Sequence, residues 1–171
     1  VYALVSYPTA CQLSPDIILL GEYFNHCVRL LNRTNSNTVS DFVGNCETEG
    51  DNDGIGTQSS FSKPVRLIQD NIDSNLVYVA EEGGSVRRIN VETKEVTTYL
   101  YKEFTSLTSI LWGSNYCNVM LITDGSKFKL LDQVNVESTA YGGSSGYLDG
   151  GLDNALFTYV SDAAVLYKDV Y

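Results

Sequence analysis

The densest group of ligand-type residues in the chain is Glu49-Gly-Asp51-Asn-Asp53-Gly54, whose alternating acids imitate the start of a calcium loop. Such a loop closes with a bidentate Glu at its twelfth position, where this sequence has Ser60. Asp51 and Asp53 are therefore the metal candidates, as an incomplete set. His26 is the only histidine, and one imidazole cannot assemble a catalytic metal centre without other ligands. The cysteines Cys11, Cys27, Cys46 and Cys117 show no C-x-x-C spacing, so no zinc site is expected. No Gly-x-Ser-x-Gly elbow offers an activated serine. These residues predict no catalytic set and no cofactor.

An even cysteine count together with the sequon Asn32-Arg33-Thr34 suits an oxidising, secretory route, with an N-linked glycan on Asn32. Four cysteines permit three connectivities. A formal charge of −10 with scattered Lys and Arg excludes a phosphate backbone as a natural partner, because that affinity needs clustered cations. Arg87-Arg88 is the one adjacent basic pair, and strand alternation sends its two side chains to opposite faces. The longest aliphatic run, Ile17–Leu20, is too short to span a bilayer, and the first residues lack the pattern of a signal peptide. A start on Val1 suggests a processed form or an excerpt of something larger.

The elements that position these residues read as strands. Helical periodicity is nearly absent, while short runs rich in Val, Ile, Leu, Thr and Tyr alternate with clusters of Gly, Asn, Asp and Ser. Val28-Arg-Leu-Leu-Asn32, Val86-Arg-Arg-Ile-Asn90 and Phe128-Lys-Leu-Leu-Asp132 share the order apolar, basic, any, apolar, Asn or Asp. Each follows another run (Ile18–Glu22, Val77–Glu81, Val119–Asp124) across a tight turn at Asn25-His26, Gly83-Gly84 or Gly125-Ser126, which makes three hairpins. A third strand follows each hairpin, at Val39–Val43, Val96–Leu100 and Val136–Tyr141. A fourth precedes it, at Val1–Val5, Val65–Ile68 and Leu107–Trp112, and Ala164–Tyr167 opens a further unit. Four strands repeating every 42 to 58 residues is the period of a propeller blade. The expected fold is an all-β propeller of about three blades plus one further strand, occupying 1–171 as one domain, with blades near 1–44, 45–101 and 102–142 and the next beginning at 143–171.

Between units lies a second repeat. Gly143-Ser-Ser-Gly146-Tyr-Leu-Asp149-Gly150 leads to Ala155 and Phe157, as Asp53-Gly54 leads to Phe61 and Pro64. With Tyr78-Val-Ala-Glu81 and Asn25-His26-Cys27-Val28-Arg29, these residues resemble the NHL-repeat β-propellers. The resemblance covers most of the chain, although Tyr101–Ser106 lacks the glycine loop. It implies blade-linking loops in which Gly54 and Gly150 turn the backbone, the Asp accepts from the turn's amides, and Phe61 and Phe157 wedge between neighbouring sheets. Burying such a ring is worth roughly 2–3 kcal/mol. On this blade reading Cys27 and Cys46 share one rim, and Cys11 and Cys117, between first and second strands, share the other, so the expected bridges are Cys27–Cys46 and Cys11–Cys117.

The function expected from this combination is a non-catalytic, secreted, glycosylated module that makes protein contacts, as a structural subunit of a surface or extracellular fibre. Twelve tyrosines suit an interface as well as a strand core. Some related propellers are lyases or hydrolases, so the alternative is a metal-dependent enzyme whose ligands lie outside this segment.

Overall fold

The computed structural model describes residues 8–114, 117–132, 137–141, 146–149 and 155–160. In chain order the elements are β1 (Pro8–Gln12), β2 (Ile17–Glu22), β3 (Cys27–Asn32), β4 (Thr38–Val43), β5 (Gly54–Ile55), β6 (Pro64–Gln69), β7 (Leu76–Glu81), β8 (Val86–Asn90) and β9 (Glu95–Leu100). β10 (Leu107–Ser114), β11 (Cys117–Asp124), β12 (Lys127–Asp132) and β13 (Glu137–Tyr141) follow, and one 3-10 turn, Gly56–Gln58, lies between β5 and β6. The protein is all-β, built from three antiparallel sheets ordered β1-β2-β3-β4, β5-β9-β8-β7-β6 and β10-β11-β12-β13. The first and third sheets are up-and-down meanders, as are β6 to β9 of the second, the arrangement that short runs joined by tight turns favour, while β5 is added at the far edge beside β9.

The turns fall where the turn residues stand. His26, Gly84 and Gly125 take positive φ (56°, 89° and 62°) between the second and third strands of the three sheets. Gly84 has no substitute, because a Cβ there would sit 1.8 Å from the Phe104 carbonyl oxygen. Two positions differ from the sequence reading. The first strand of the first sheet is Pro8–Gln12; Val1–Val5 and Ala164–Tyr167 lie outside the described residues. β5 was not foreseen as a strand: Gly54-Ile55 pairs antiparallel with Val96-Glu95 and extends the second sheet by a fifth strand.

The chain divides into two compact units, residues 1–104 and 105–171. In the first unit the faces of the first two sheets meet. Cys11, Leu19, Val28, Phe42 and Val43 from one side pack with Leu67, Val77, Val79, Ile89 and Val96 from the other, and Phe61 completes this cluster. β7 is buried at every position from Val77 to Glu81; it has hydrogen-bonded neighbours on both edges, and Val77 and Val79 face the first sheet. Gly21 on β2 permits the close approach of β6, since a Cβ there would meet Leu67 Cδ1 at 2.5 Å. In the second unit, Thr108 Oγ1 donates to the Val160 carbonyl and Val160 N–H donates to Gly125, which fastens the segment 155–160 to the third sheet.

Candidate functional site

Each sheet carries a buried acid at the end of its second strand: Glu22, Glu81 and Asp124, exposed by 2%, 1% and 6%. Charge this deep needs a partner. In every sheet the partner is the basic residue of the shared strand pattern. Arg29 Nη1 lies 3.3 Å from Glu22, Arg87 Nη1 lies 3.7 Å from Glu81, and Lys129 Nζ lies 3.6 Å from Asp124. Two of the acids, Glu81 and Asp124, also hold the chain that leads into the first strand of their sheets. Ser62 N–H donates to Glu81, and the N–H groups of Thr105 and Ser106 donate to Asp124 at 2.9 and 2.7 Å.

The second sheet builds the most elaborate version. Arg87 is fully buried, and its Nη1 donates to the Ser60 carbonyl at 2.9 Å. Its Nη2 donates to the Asn52 carbonyl at 3.0 Å and to Asp53 Oδ1 at 2.8 Å. The Phe61 ring lies 5.4 Å from Cζ, a cation–π distance. Nε is the one buried side-chain nitrogen without a hydrogen-bond partner among the described residues. Asp53 therefore has a role other than the one expected: it accepts from the guanidinium and from Thr98 Oγ1 instead of from turn amides. Burial raises the Asp53 carboxyl, but hydrogen bonds from Thr98 and Arg87 outweigh it and hold the group below the ordinary carboxylate range.

Glu81 moves the other way. Burial, reinforced by the negative charges of Asp51 and Asp53, pushes its carboxyl up to about 7 against the opposing pull of the Ser62 N–H and Arg87. Beside it opens a cleft of about 170 Å³ reached by Glu49, Asp51, Ser62, Ser85 and Lys102. The two calcium candidates point to different partners. Asp51 accepts from Tyr101 Oη at 3.1 Å and lies 3.7 Å from Lys102 Nζ, while Asp53 is engaged by Arg87. Among the described residues no group of three or more His, Cys, Asp or Glu is arranged to hold a metal ion.

The remaining residues singled out in the sequence serve the packing. His26 accepts the Lys63 N–H through Nδ1 at 3.2 Å and so ties the β2–β3 turn to the lead-in of β6. A disulfide joins Cys27, at the start of β3, to Cys46, just past β4, with Cα atoms 5.0 Å apart. The second expected bridge fails at Cys11. That residue lies on β1 itself, not in the connection after it, and carries a free buried thiol. Cys117 begins β11, and its side chain lies outside the described residues. Asn32 ends β3, where its Oδ1 accepts from the N–H and hydroxyl of Thr34 at 3.0 and 2.7 Å. Phe61 is fully enclosed between the first two sheets; Phe157 is half-buried and meets Phe128 edge-on, with ring centroids 6.2 Å apart. Gly150 lies outside the described residues.

The acid–base pairs escaped the sequence reading although both halves were in view. Seven, six and five residues separate the members of the three pairs, because the intervening turns differ in length. Only the strand register shows that the positions correspond.

Fold and site together define an all-β protein of three antiparallel sheets, each carrying a buried acid paired with a basic residue of the next strand. No family model matches the chain, and no curated protein matches it. Among solved structures, it is similar to a structural-genomics protein of unknown function from Bacteroides thetaiotaomicron, with a TM-score of 0.64 and 16% identity. That likeness covers 88% of this chain and 40% of the other and speaks to the fold alone. Apo AztD from Citrobacter koseri also matches, with a TM-score of 0.40 and 17% identity over 80% of this chain and 47% of its own. The chain thus spans less than half the length of either neighbour.

Proposed function

We propose that the chain is part of an NHL-like β-propeller, secreted and glycosylated on Asn32, whose work is protein–protein contact and not catalysis, as a structural subunit of an extracellular fibre. The observation that carries this reading is the use to which the chemically able side chains are put. Arg87, Glu81, Asp53 and His26 are spent on joining the first two sheets and the loop between them. Large apolar side chains, by contrast, are left facing solvent: Phe24, Ile72, Tyr101, Tyr147 and Tyr159 are each more than half exposed. Tyrosine offers broad contact area at low entropic cost, which suits a partner surface. The Cys27–Cys46 disulfide fits an oxidising compartment.

Electron microscopy of native material, with a glycosidase digest run beside it, tests the reading. Fibres or ordered assemblies, together with a mass shift on deglycosylation, are the expected result. Dispersed monomers without a glycan would end both the fibre and the secretory parts. Loss of an activity on chelation would replace the proposal with the metal-enzyme alternative.

A further inference from the structure

The three buried acids spend their oxygens unequally. Glu22 uses both: Oε1 meets Arg29, and Oε2 accepts from Asn25. Asp124 also uses both, with Oδ1 accepting from Thr105 and Ser106 and Oδ2 facing Lys129. Glu81 uses one. Its Oε1 accepts the Ser62 N–H at 2.6 Å and lies 3.7 Å from Arg87 Nη1, while Oε2 has no partner among the described residues. Arg87 Nε is the one side-chain atom among them that is both sealed in protein and unpartnered, so Glu81 Oε2 reaches open space. The wall in which Glu81 stands is that of the cleft of about 170 Å³.

Ser85, in the same wall and 3% exposed, has the complementary surplus. Its Oγ accepts the Lys102 N–H at 3.1 Å, and its own O–H donates to none of the described residues. A buried acceptor and a buried donor left unmet would each cost stability. Their neighbours narrow what can meet them. Glu49 and Asp51 also line the cleft and repel an anion. An ammonium cannot accept from Ser85, and Lys102 Nζ already stands 3.7 Å from Asp51. Among the described residues no three such acids are arranged around a metal ion. A hydroxyl both accepts from Ser85 and donates to Glu81, and spaced carboxylates suit a ligand with several hydroxyls. It also serves Glu81 in either form, which matters because burial holds that proton up to about 7. At the edge of the cleft Tyr101 donates through Oη to Asp51 at 3.1 Å, and its ring, 55% exposed, offers an aromatic face to the C–H groups of a second ring.

We propose that this cleft binds a single neutral pyranose sugar, whose hydroxyls accept from Ser85 and donate to Glu81 Oε2, Asp51 and Glu49, with Tyr101 beside the ring. The size suits one ring and not a chain of them: about 170 Å³ is well below the roughly 300 Å³ at which drug-sized pockets begin. Every group invoked lies between residues 49 and 102, within the first compact unit. The site goes beyond the protein contacts proposed above and requires neither the fibre nor the Asn32 glycan.

Heteronuclear NMR of the 171-residue chain tests the site with the methyl pyranosides of glucose, galactose and mannose. Each is titrated to about 50 mM, well past a Kd of about 1 mM. Saturable shifts of the Ser62, Gly83, Ser85 and Lys102 amides with at least one of these sugars are the expected result. Ser85→Ala and Tyr101→Ala should each weaken that binding about 5-fold or more, through a lost hydrogen bond in one and a lost ring contact in the other. Tyr101 is exposed, so Tyr101→Ala should keep the wild-type circular dichroism and tests the site even where Ser85→Ala unfolds the chain. No saturable shift with any of the three sugars, or sugar binding unchanged in Tyr101→Ala, overturns the site. Ethylammonium shifting the same amides more tightly than the sugars also overturns it, by marking a cation cleft instead. None of these results touches the assembly reading, which stands or falls on native material.

Discussion

The first and second sheets place an acid and an arginine in the same register and treat them differently. In the first sheet, Arg29 is 22% exposed and shared between buried Glu22 and exposed Asp41, which comes from the adjacent strand β4. In the second, Thr98 occupies the position of Asp41, since Arg29 pairs with Asp41 and Arg87 with Thr98. The second anion there arrives from the loop, as Asp53, and the guanidinium is fully enclosed. One cation position is thus satisfied by a strand neighbour in one sheet and by an inserted loop in the other. The loop solution excludes water and adds two carbonyls and a ring. It also makes the second sheet's stability depend on a segment distant in sequence.

That contrast predicts unequal costs. Arg87→Leu strands Glu81 and Asp53 and empties the loop's acceptors, so chemical denaturation should show a loss of about 3–5 kcal/mol, as for one half of a buried ion pair. Arg29→Leu should cost only about 1–2 kcal/mol, because Asn25 still donates to Glu22 and Asp41 remains hydrated. Equal losses for the two variants would erase the distinction. Phe61→Ala opens a cavity between two sheets and should cost about 3–5 kcal/mol, while half-buried Phe157→Ala should cost about 1–2 kcal/mol, both read as shifts in denaturation midpoint.

A pH series sharpens the same comparison. The folded chain holds the Glu81 proton up to about 7, whereas the ordinary value is 4.5. The folded form therefore binds more protons between those values. The stability contributed by this group is complete below the lower value and is lost as pH rises through the upper one. Between pH of about 5 and 8 the wild-type chain should lose at most about 3 kcal/mol from this source, and Glu81→Gln should flatten that slope. A slope unchanged in Glu81→Gln would show that the carboxyl titrates elsewhere. The smallest effect belongs to Asp41→Asn, about 0.5 kcal/mol, since the carboxylate is more than half exposed and its pairing is screened by water.

Much of the frame was legible in the residues. Runs such as Val86–Asn90 and Val77–Glu81 declared their strands because short apolar stretches bounded by turn residues have few other stable conformations. Cys27 and Cys46 could be paired because each flanks the end of a recognisable strand. Cys11 could not, since the boundaries of β1 depend on pairing with β2 and not on any local pattern. Asp53 was seen as a turn residue because its guanidinium partner stands 34 residues away, and no local rule relates them.

The order of strands, the turns between them and the alternation of buried and exposed positions follow from short-range patterns that each segment carries alone. Which acid meets which arginine, which loop covers which edge, and why Glu81 keeps its proton near neutrality were settled only when the sheets stacked. Those outcomes depend on excluding water and on bringing distant charges within a few ångströms, and a linear chain does neither until it folds.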